Sequence, residues 1–239
     1  MAQKPVPQSI STTDYIPGEV LHIDIKVFAD TSKARKHLRA FGNYVGALTA
    51  VDMATGYKFG TLIKSHASLE IQLEAIRVQV CASDRVLKIL RMDNEFETVD
   101  IRTWAALCSP PITLEPCIPH EHHSIGDIER FNRTLGDPIN KKLYGKPHLT
   151  KQYWGYAYMD CVMKHNMCGS IHGPDSTPYE LWHGHKPDLL TMPMIPFGSI
   201  VMAHVPLKQQ ATHGDRAILN YVVGTALRHK GAKGGVDTV

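Results

Sequence analysis

The chain has 239 residues, enough for one domain of ordinary size and a smaller second one. Hydrophobic residues make up 43% and charged residues 21%, which excludes an intrinsically disordered or fibrous protein. The formal net charge is only +3, so the composition permits a nucleic-acid partner without arguing for one.

Cysteine spacing and hydropathy bear on the compartment. The five cysteines include no CxxC pair, so a disulfide framework is not expected and a reducing compartment such as the cytosol or nucleus fits better. The first 18 residues contain no apolar run of the kind that forms a signal peptide's core. No stretch approaches the roughly 18 apolar residues of a membrane span. We therefore expect a soluble intracellular protein with no membrane partner.

Three strands are predicted at the start of the fold, after an extended Pro-, Ser- and Thr-rich linker at residues 1–18. Residues 19–28 alternate, with apolar side chains at the odd positions and His22 and Asp24 between them, which predicts a strand with one buried face. Residues 44–52 and 57–64 flank the turn MATG and predict a β-hairpin.

Helices and strands then alternate. Residues 68–81 carry apolar residues at helical spacing, with Ser68 as the expected N-cap. Residues 86–93 are a short apolar run, typical of a strand covered on both faces. A second helix is predicted at 100–108 and a further strand at 112–118.

The next helix is predicted to begin near Ile125 and to direct Ile128, Phe131 and Leu135 inward. The sequence Gly-Asp-Pro at 136–138 should interrupt or kink it, and its Asp can cap a continuation. Another helix is predicted at residues 151–167.

The predicted order is β-β-β-α-β-α-β-α-α, an α/β protein with a mixed sheet. Three antiparallel strands leading into parallel ones is the order of the ribonuclease-H-like architecture, a five-stranded sheet flanked by helices. After about residue 195, short apolar runs predict the start of a small β-rich unit. We therefore expect a linker at 1–18, a core at 19–190 and a partial C-terminal unit at 191–239.

Three carboxylates are placed where such a sheet would gather them. Asp24 lies mid-strand, Asp93 ends the fourth strand, and Glu129 lies in the first turn of the helix after the fifth strand. Carboxylate oxygens are the ligands that Mg²⁺ and Mn²⁺ prefer, and two such ions can catalyse in-line displacement at phosphorus. An isolated acid is more often a solvated surface residue. Asp52 and Asp84, which occupy turns, need only that structural explanation.

Several blocks of sequence resemble one known family, the integrase core of copia-type LTR retrotransposons, which is related to retroviral integrases. The blocks are HID (22–24), RMDNEFE (91–97), IGDIERFNRT (125–134), TPYELWHGHKPDL (177–189), PFGSIVMAHVP (196–206) and QQATHGDRAILNYVVGTA. The 35 residues between Asp93 and Glu129 match the family's D-(35)-E signature. The resemblance runs from about residue 18 to about residue 230.

This resemblance implies a ribonuclease-H-like fold and a polynucleotidyl transferase that trims the 3′ ends of the element's DNA and joins them to target DNA. Asp24, Asp93 and Glu129 are then the catalytic triad and the ligands of two Mg²⁺ or Mn²⁺ ions. The implied partners are double-stranded DNA, at the element ends and the target, and further copies of the chain in a homo-oligomer. The implied location is the nucleus, with cytoplasmic virus-like particles as a second site.

Three residues after Glu129 are candidates for DNA contact. Asn132 and Arg133 lie three and four positions beyond it and share its helical face. With Arg130, they are expected to touch DNA phosphate, for which an Arg fork is well suited. A solvated helix face is the alternative for the two arginines.

The sequence also departs from the family pattern. The family's glycines are missing from the loop DNEFE after Asp93, and Ile125-Gly126 stands where the family has Asn-Gly. These departures leave open a second function, a catalytically impaired or domesticated integrase-derived module that binds DNA or supports assembly. A cellular ribonuclease H would leave the blocks after residue 170 unexplained.

The stretch HEHH before the predicted catalytic helix has two interpretations. With Cys117, the imidazoles of His120, His122 and His123 could form a zinc site, although their spacing fits no standard zinc finger. A mobile loop close to DNA is the preferred interpretation.

Overall fold

The computed structural model describes the chain between residues 15 and 224, with gaps. The described ranges are 15–28, 39–65, 69–116, 131–132, 135–144, 146, 148–169, 176–190, 192–205 and 217–224. Most of the predicted linker at residues 1–18 lies outside them.

A five-stranded mixed sheet forms the centre of the fold. Its strands are β1 (Val20–Val27), β2 (Gly46–Asp52), β3 (Lys58–Ile63), β4 (Ile89–Met92) and β5 (Thr113–Pro116). They lie in the order β3-β2-β1-β4-β5. The first three strands are antiparallel, whereas β4 and β5 run parallel to β1. The predicted fold class, with antiparallel strands leading into parallel ones, is confirmed.

Five α-helices flank the sheet within the described ranges: α1 (Leu69–Cys81), α2 (Val99–Leu107), α3 (Gly136–Tyr144), α4 (Trp154–Cys168) and α5 (Pro178–His183). Short 3₁₀ turns at Asn94–Phe96 and Lys151–Tyr153 precede α2 and α4. The periodicity analysis does not predict α5, which has only six residues. Its ends are nevertheless well defined, because the Thr177 hydroxyl accepts from the Glu180 N–H and Gly184 adopts a left-handed conformation.

One face of the sheet packs on α1, α2 and α5 through an apolar core. The odd positions of β1, Leu21 and Ile23, are fully buried there. The α1 residues in this core are spaced as the sequence predicts: Leu69, Leu73, Ile76 and Val80. Trp182 of α5 joins them with 2% of its surface exposed. Removing these apolar surfaces from water is the main stabilising contribution of this face.

The opposite face of the sheet packs against α4 at β2 and β3. The prediction that β1 has only one buried face is wrong at His22. His22 lies on that second face and is only 2% exposed. Ala157 and Tyr158 of α4 are fully buried against it. Periodicity predicts α4 as a helix but not which strand residues it covers. Conversely, β4 is predicted to be covered on both faces, yet its residues alternate between buried and half-buried.

A new helix begins at Gly136, where the sequence predicts an interruption. The Leu135 N–H donates to the Phe131 carbonyl at 2.9 Å, a hydrogen bond of helical spacing just before this new helix. Pro138 lies in the first turn of α3, where its missing N–H breaks no hydrogen bond. Asp137 lies inside this turn instead of capping it, and its charge is favourable at a helix N-terminus.

The strands β6 (Ile200–His204) and β7 (Ala217–Tyr221) form a separate antiparallel pair. The β-structure predicted after residue 195 is therefore present. Tyr221 stacks on His148 with ring centroids 4.2 Å apart, and Phe197 is buried among α3 and α4 residues. These contacts hold the pair against the main unit.

The expectations about disulfide bonds and membrane-spanning segments can be compared with the described part of the chain. Its cysteines, Cys81, Cys108, Cys161 and Cys168, are free thiols. None of its helices is both long enough and apolar enough to cross a bilayer.

Candidate metal centre

Asp24 lies on β1, and Asp93 directly follows β4, the parallel neighbour of β1. In the pairing of β1 with β4, His22 lies opposite Arg91. Asp93 directly follows β4 with an extended backbone (φ −67°, ψ 147°), so the same register continued by two residues sets it beside Asp24. Adjacent strands are about 4.8 Å apart, and alternation puts both side chains on the face opposite the apolar core. This register puts the backbones of Asp24 and Asp93 at the same end of the sheet, and their joint role as metal ligands stays a prediction.

The other predicted site residues are only partly described. Glu129, Arg130 and Arg133 lie outside the described residues, so their predicted roles stay predictions. The same holds for the residues considered as a zinc site, Cys117, His120, His122 and His123. In the ranges that are described, no three His, Cys, Asp or Glu side chains are grouped closely enough to hold a metal ion.

Asn132 is hydrogen-bonded to Asp24. Its Nδ2 donates to Asp24 Oδ2 at 2.7 Å, and its Oδ1 accepts from the Thr49 hydroxyl at 3.1 Å. The Ile25 N–H donates to the other carboxylate oxygen, Asp24 Oδ1, at 2.7 Å. Asn132 is only 6% exposed, so its amide is used inside the fold. Its predicted contact with DNA phosphate stays a prediction, and the structure adds a second role, holding Asp24.

The helical turn that carries Asn132 is anchored by its neighbour Phe131. The Phe131 ring is buried, and its centroid lies 4.9 Å from that of His165 on α4. The Lys58 ammonium of β3 lies 4.9 Å from the same ring centroid. Strand β3 and helix α4 thus fix the turn from which Asn132 reaches Asp24.

Thr49 and Tyr158 continue the network into the protein interior. Thr49 is the direct cross-strand partner of Asp24 in the pairing of β1 with β2. The Tyr158 hydroxyl lies 2.9 Å from Thr49 Oγ1, and it donates to the Leu48 carbonyl at 3.1 Å. Burial raises the pKa of Tyr158, and the negative charge of Asp24 acts in the same direction, so the phenol keeps its proton.

Sequence reasoning misses Thr49 because the connection between β1 and β2 is long. Register in a hairpin follows from a short turn, and no short turn is available here.

Lys26 is a further residue that sequence reasoning misses. Its ammonium donates to the backbone carbonyl of Asn132. Burial lowers the pKa of Lys26, while the carboxylates of Asp24 and Asp137 oppose that shift. A signal for it exists in the sequence, because Lys26 lies two residues beyond Asp24 and therefore shares its face of β1.

The donor set suits a hard divalent cation. Asp24 and Asp93 supply carboxylate oxygens, and the oxygens of Asp24 accept from the Ile25 N–H and from the Asn132 amide. Two carboxylates at neighbouring positions repel each other, and a bound cation relieves that repulsion. These residues fit Mg²⁺ or Mn²⁺ better than a soft metal.

The two contrasting acids have the structural roles that the sequence predicts. Asp52 is buried and accepts from the Thr55 hydroxyl at 2.6 Å and from the Gly18 N–H at 2.7 Å. Burial raises the pKa of Asp52, and these hydrogen bonds oppose the shift. Asp84 adopts a left-handed conformation (φ 55°) in the loop after α1.

Comparison with known sequences finds a partial similarity to a transposon polyprotein. No model of a known protein family matches the chain. A 141-residue stretch, 59% of the chain, is 28% identical to the retrovirus-related Pol polyprotein from transposon TNT 1-94 of Nicotiana tabacum. That match spans 10% of the polyprotein's length.

Comparison with solved structures identifies the fold. The catalytic core domain of HTLV-2 integrase, in complex with magnesium and in a trimeric form, superposes with a TM-score of 0.51 at 17% identity, covering 70% of this chain and 98% of that one. The chain therefore shares the fold of that core domain. The intasome of simian T-cell lymphotropic virus, in complex with the PP2A regulatory subunit B56 gamma, gives a TM-score of 0.55 at 18% identity, covering 93% of this chain and 73% of that one. At these identities the likeness establishes architecture alone.

The block TPYELW has a structural role in this fold. Trp182 stacks on Tyr57 with centroids 5.2 Å apart, and the Arg85 guanidinium lies 4.4 Å from the indole centroid. The Trp182 carbonyl also accepts a hydrogen bond from Arg85. The block therefore closes the apolar side of the sheet, away from Asp24.

Proposed function

We propose that this chain is the catalytic core of a copia-type retrotransposon integrase. Its reaction would be the trimming of the element's 3′ DNA ends and their joining to target DNA. The observation that carries the proposal is a fold of the integrase type in which the Asn132 amide is hydrogen-bonded to Asp24. The pairing of β1 with β4, extended by two residues, supports a site shared by Asp24 and Asp93. The partial likeness to a transposon Pol polyprotein supports the retrotransposon origin.

Asp24 and Asp93, with Glu129 as the third predicted ligand, would hold two Mg²⁺ or Mn²⁺ ions. When bound, such ions activate the attacking hydroxyl or water and stabilise the leaving oxygen. The protein's own contribution is to hold the ligands still. The hydrogen bonds from Asn132 and from the Ile25 N–H restrain both oxygens of Asp24.

The DNA substrate would be bound through its phosphates. Lys26 brings a cation close to Asp24, and Arg130 and Arg133 follow the predicted ligand Glu129 in the sequence. We further propose a homo-oligomer, for which the trimeric form of the HTLV-2 core is a precedent, and a nuclear location, because chromosomal target DNA lies there.

The test is a DNA nicking and joining assay with Mn²⁺ or Mg²⁺ on a short duplex. Replacing Asp24 by Asn keeps the size of the side chain but removes the charge that a metal requires, so we expect activity to fall at least about 100-fold. Asp84→Asn is the matched control, because Asn tolerates the left-handed backbone at position 84 and the site is unaffected.

Activity equal to wild type in Asp24→Asn would refute the assignment of the metal ligand. Salt-sensitive DNA binding by the wild-type protein, with no metal-dependent turnover, would instead support a DNA-binding module descended from an integrase.

A further inference from the structure

A chain of buried polar groups runs from the middle of α4 to the candidate metal centre. Tyr158 and Thr49 are 0% exposed and Asn132 is 6% exposed. Their contacts connect in sequence, Tyr158 to Thr49, Thr49 to Asn132, and Asn132 to Asp24, at 2.9, 3.1 and 2.7 Å. A buried polar network of this kind is stable only when each member is satisfied.

The hydrogen bonds can run in only one direction. An ionised carboxylate only accepts, so the NH₂ group of Asn132 must face Asp24. The amide oxygen of Asn132 then faces Thr49, whose hydroxyl must donate to it. The Thr49 oxygen is left to accept from Tyr158, whose proton is shared between this oxygen and the Leu48 carbonyl. Each donor in this chain thus fixes the orientation of the group that accepts from it.

The sheet leaves room for this arrangement at one residue. Gly60 of β3 is the cross-strand partner of Thr49. A Cβ atom at Gly60 would lie 3.0 Å from both the hydroxyl oxygen and a ring carbon of Tyr158. The absence of a side chain at position 60 is therefore what lets the phenol reach Thr49.

We propose that Thr49 and Tyr158 are positioning residues of the metal centre, which orient the Asn132 amide so that it holds Asp24 in its ligand geometry. The inference rests on the proposed function. A valine at position 49 would fill the same volume without burying a hydroxyl, so packing alone gives no reason for a threonine. Without the Thr49 donor, the Asn132 oxygen is buried without a partner and the amide loses its fixed orientation.

The first experiment compares the Mg²⁺ and Mn²⁺ dissociation constants of full-length variants by calorimetry. We expect Thr49→Val to weaken metal binding by about 10-fold or more, the usual effect of losing a group that supports a ligand. Thr49→Ser keeps the donor and should stay within about threefold of wild type. Tyr158→Phe, which removes a more distant donor, should have a smaller effect than Thr49→Val.

The matched control is Thr55→Val, which removes another buried threonine hydroxyl, one that donates to Asp52. It should lower the Tm without changing the metal dissociation constant. In an Asn132→Ala background, Thr49→Val should weaken metal binding no further, because its effect passes through the amide. Equal metal affinity in Thr49→Val and wild type, or additive losses in the double variant, would overturn the proposal.

A second measurement separates this inference from the proposed function. The side-chain NH₂ signals of Asn132 can be followed by NMR in metal-free protein. Thr49→Val should shift them and accelerate their exchange with solvent, whereas Thr49→Ser should not. Unchanged signals in Thr49→Val would contradict the positioning role. A wild-type protein that shows this coupling but binds no metal would contradict the proposed function and leave the link between Thr49 and Asn132 established.

Discussion

The two faces of the central sheet are built from different chemistry. The face under α1, α2 and α5 buries a continuous apolar core that includes Leu21 and Trp182, and its buried carboxylate, Asp52, serves a local turn. The face under α4 also buries polar and charged groups: Thr49, Asn132, Lys58, Asp160 and Asn166. Burial of apolar surface stabilises the fold but does not require the side chains to contact one another in a particular orientation. Hydrogen bonds between buried polar groups do require one orientation. The candidate site lies on the second face, where hydrogen bonds fix the orientation of the side chains.

Helix α4 is held on the sheet by paired polar contacts. The Asn166 amide accepts from the Lys58 N–H and donates to the Lys58 carbonyl, both at 2.8 Å. The buried carboxylate of Asp160 accepts from Lys142 of α3 and, at 2.9 Å, from Lys164. These contacts set the register of α4 against β3 and α3, and that register brings Tyr158 over Gly60.

The largest effect on stability is expected on the apolar face. Trp182→Ala removes a nearly fully buried indole and should lower the free energy of unfolding by about 3–5 kcal/mol. The metal dissociation constant measured on the folded variant should stay close to that of wild type. Chemical denaturation followed by calorimetry checks both values. Parallel loss of metal affinity would contradict the division between the two faces.

A smaller, pH-dependent effect is expected on the polar face. Burial, with the Lys58 ammonium beside it, lowers the pKa of His165 to about 4. The Lys58 ammonium donates to His165 Nε2 at 2.7 Å, which requires a neutral ring. The folded state disfavours the protonated ring. The contribution of neutral His165 to the free energy of unfolding is therefore fully present above about pH 6.5 and is lost as the pH falls towards 4.

Across that pH window, the free energy of unfolding should fall by on the order of 1 kcal/mol because of His165. The effect is this small because the ring is only partly shielded from solvent. His165→Gln should flatten that part of the pH profile. If the free energy of unfolding of the variant still falls with pH as steeply as that of wild type, His165 is not the cause of this pH dependence.

Most of the sheet could be predicted from the sequence, because alternating strands and a short hairpin turn leave few possible arrangements. The same logic predicts that Asp93 lies near Asp24, since parallel strands end at a common edge. The burial of His22 could not be predicted, because polar residues in alternation with apolar ones usually face solvent.

The hydrogen-bond network that holds Asp24 could not be predicted from the sequence either. Helical spacing predicts that Asn132 shares a face with Glu129, but not that this face meets β1 and β2. Thr49 reaches the site through strand register across a long connection, and Tyr158 through the packing of α4. Contacts between residues more than 80 positions apart depend on the assembled fold.

The most direct test of the central claim is a strand-transfer assay with Mn²⁺ on a short blunt duplex, comparing wild type with Glu129→Gln. The proposal predicts joined products from wild type that depend on the metal and disappear in the variant. Joining that is equally efficient in Glu129→Gln would contradict the metal triad of Asp24, Asp93 and Glu129.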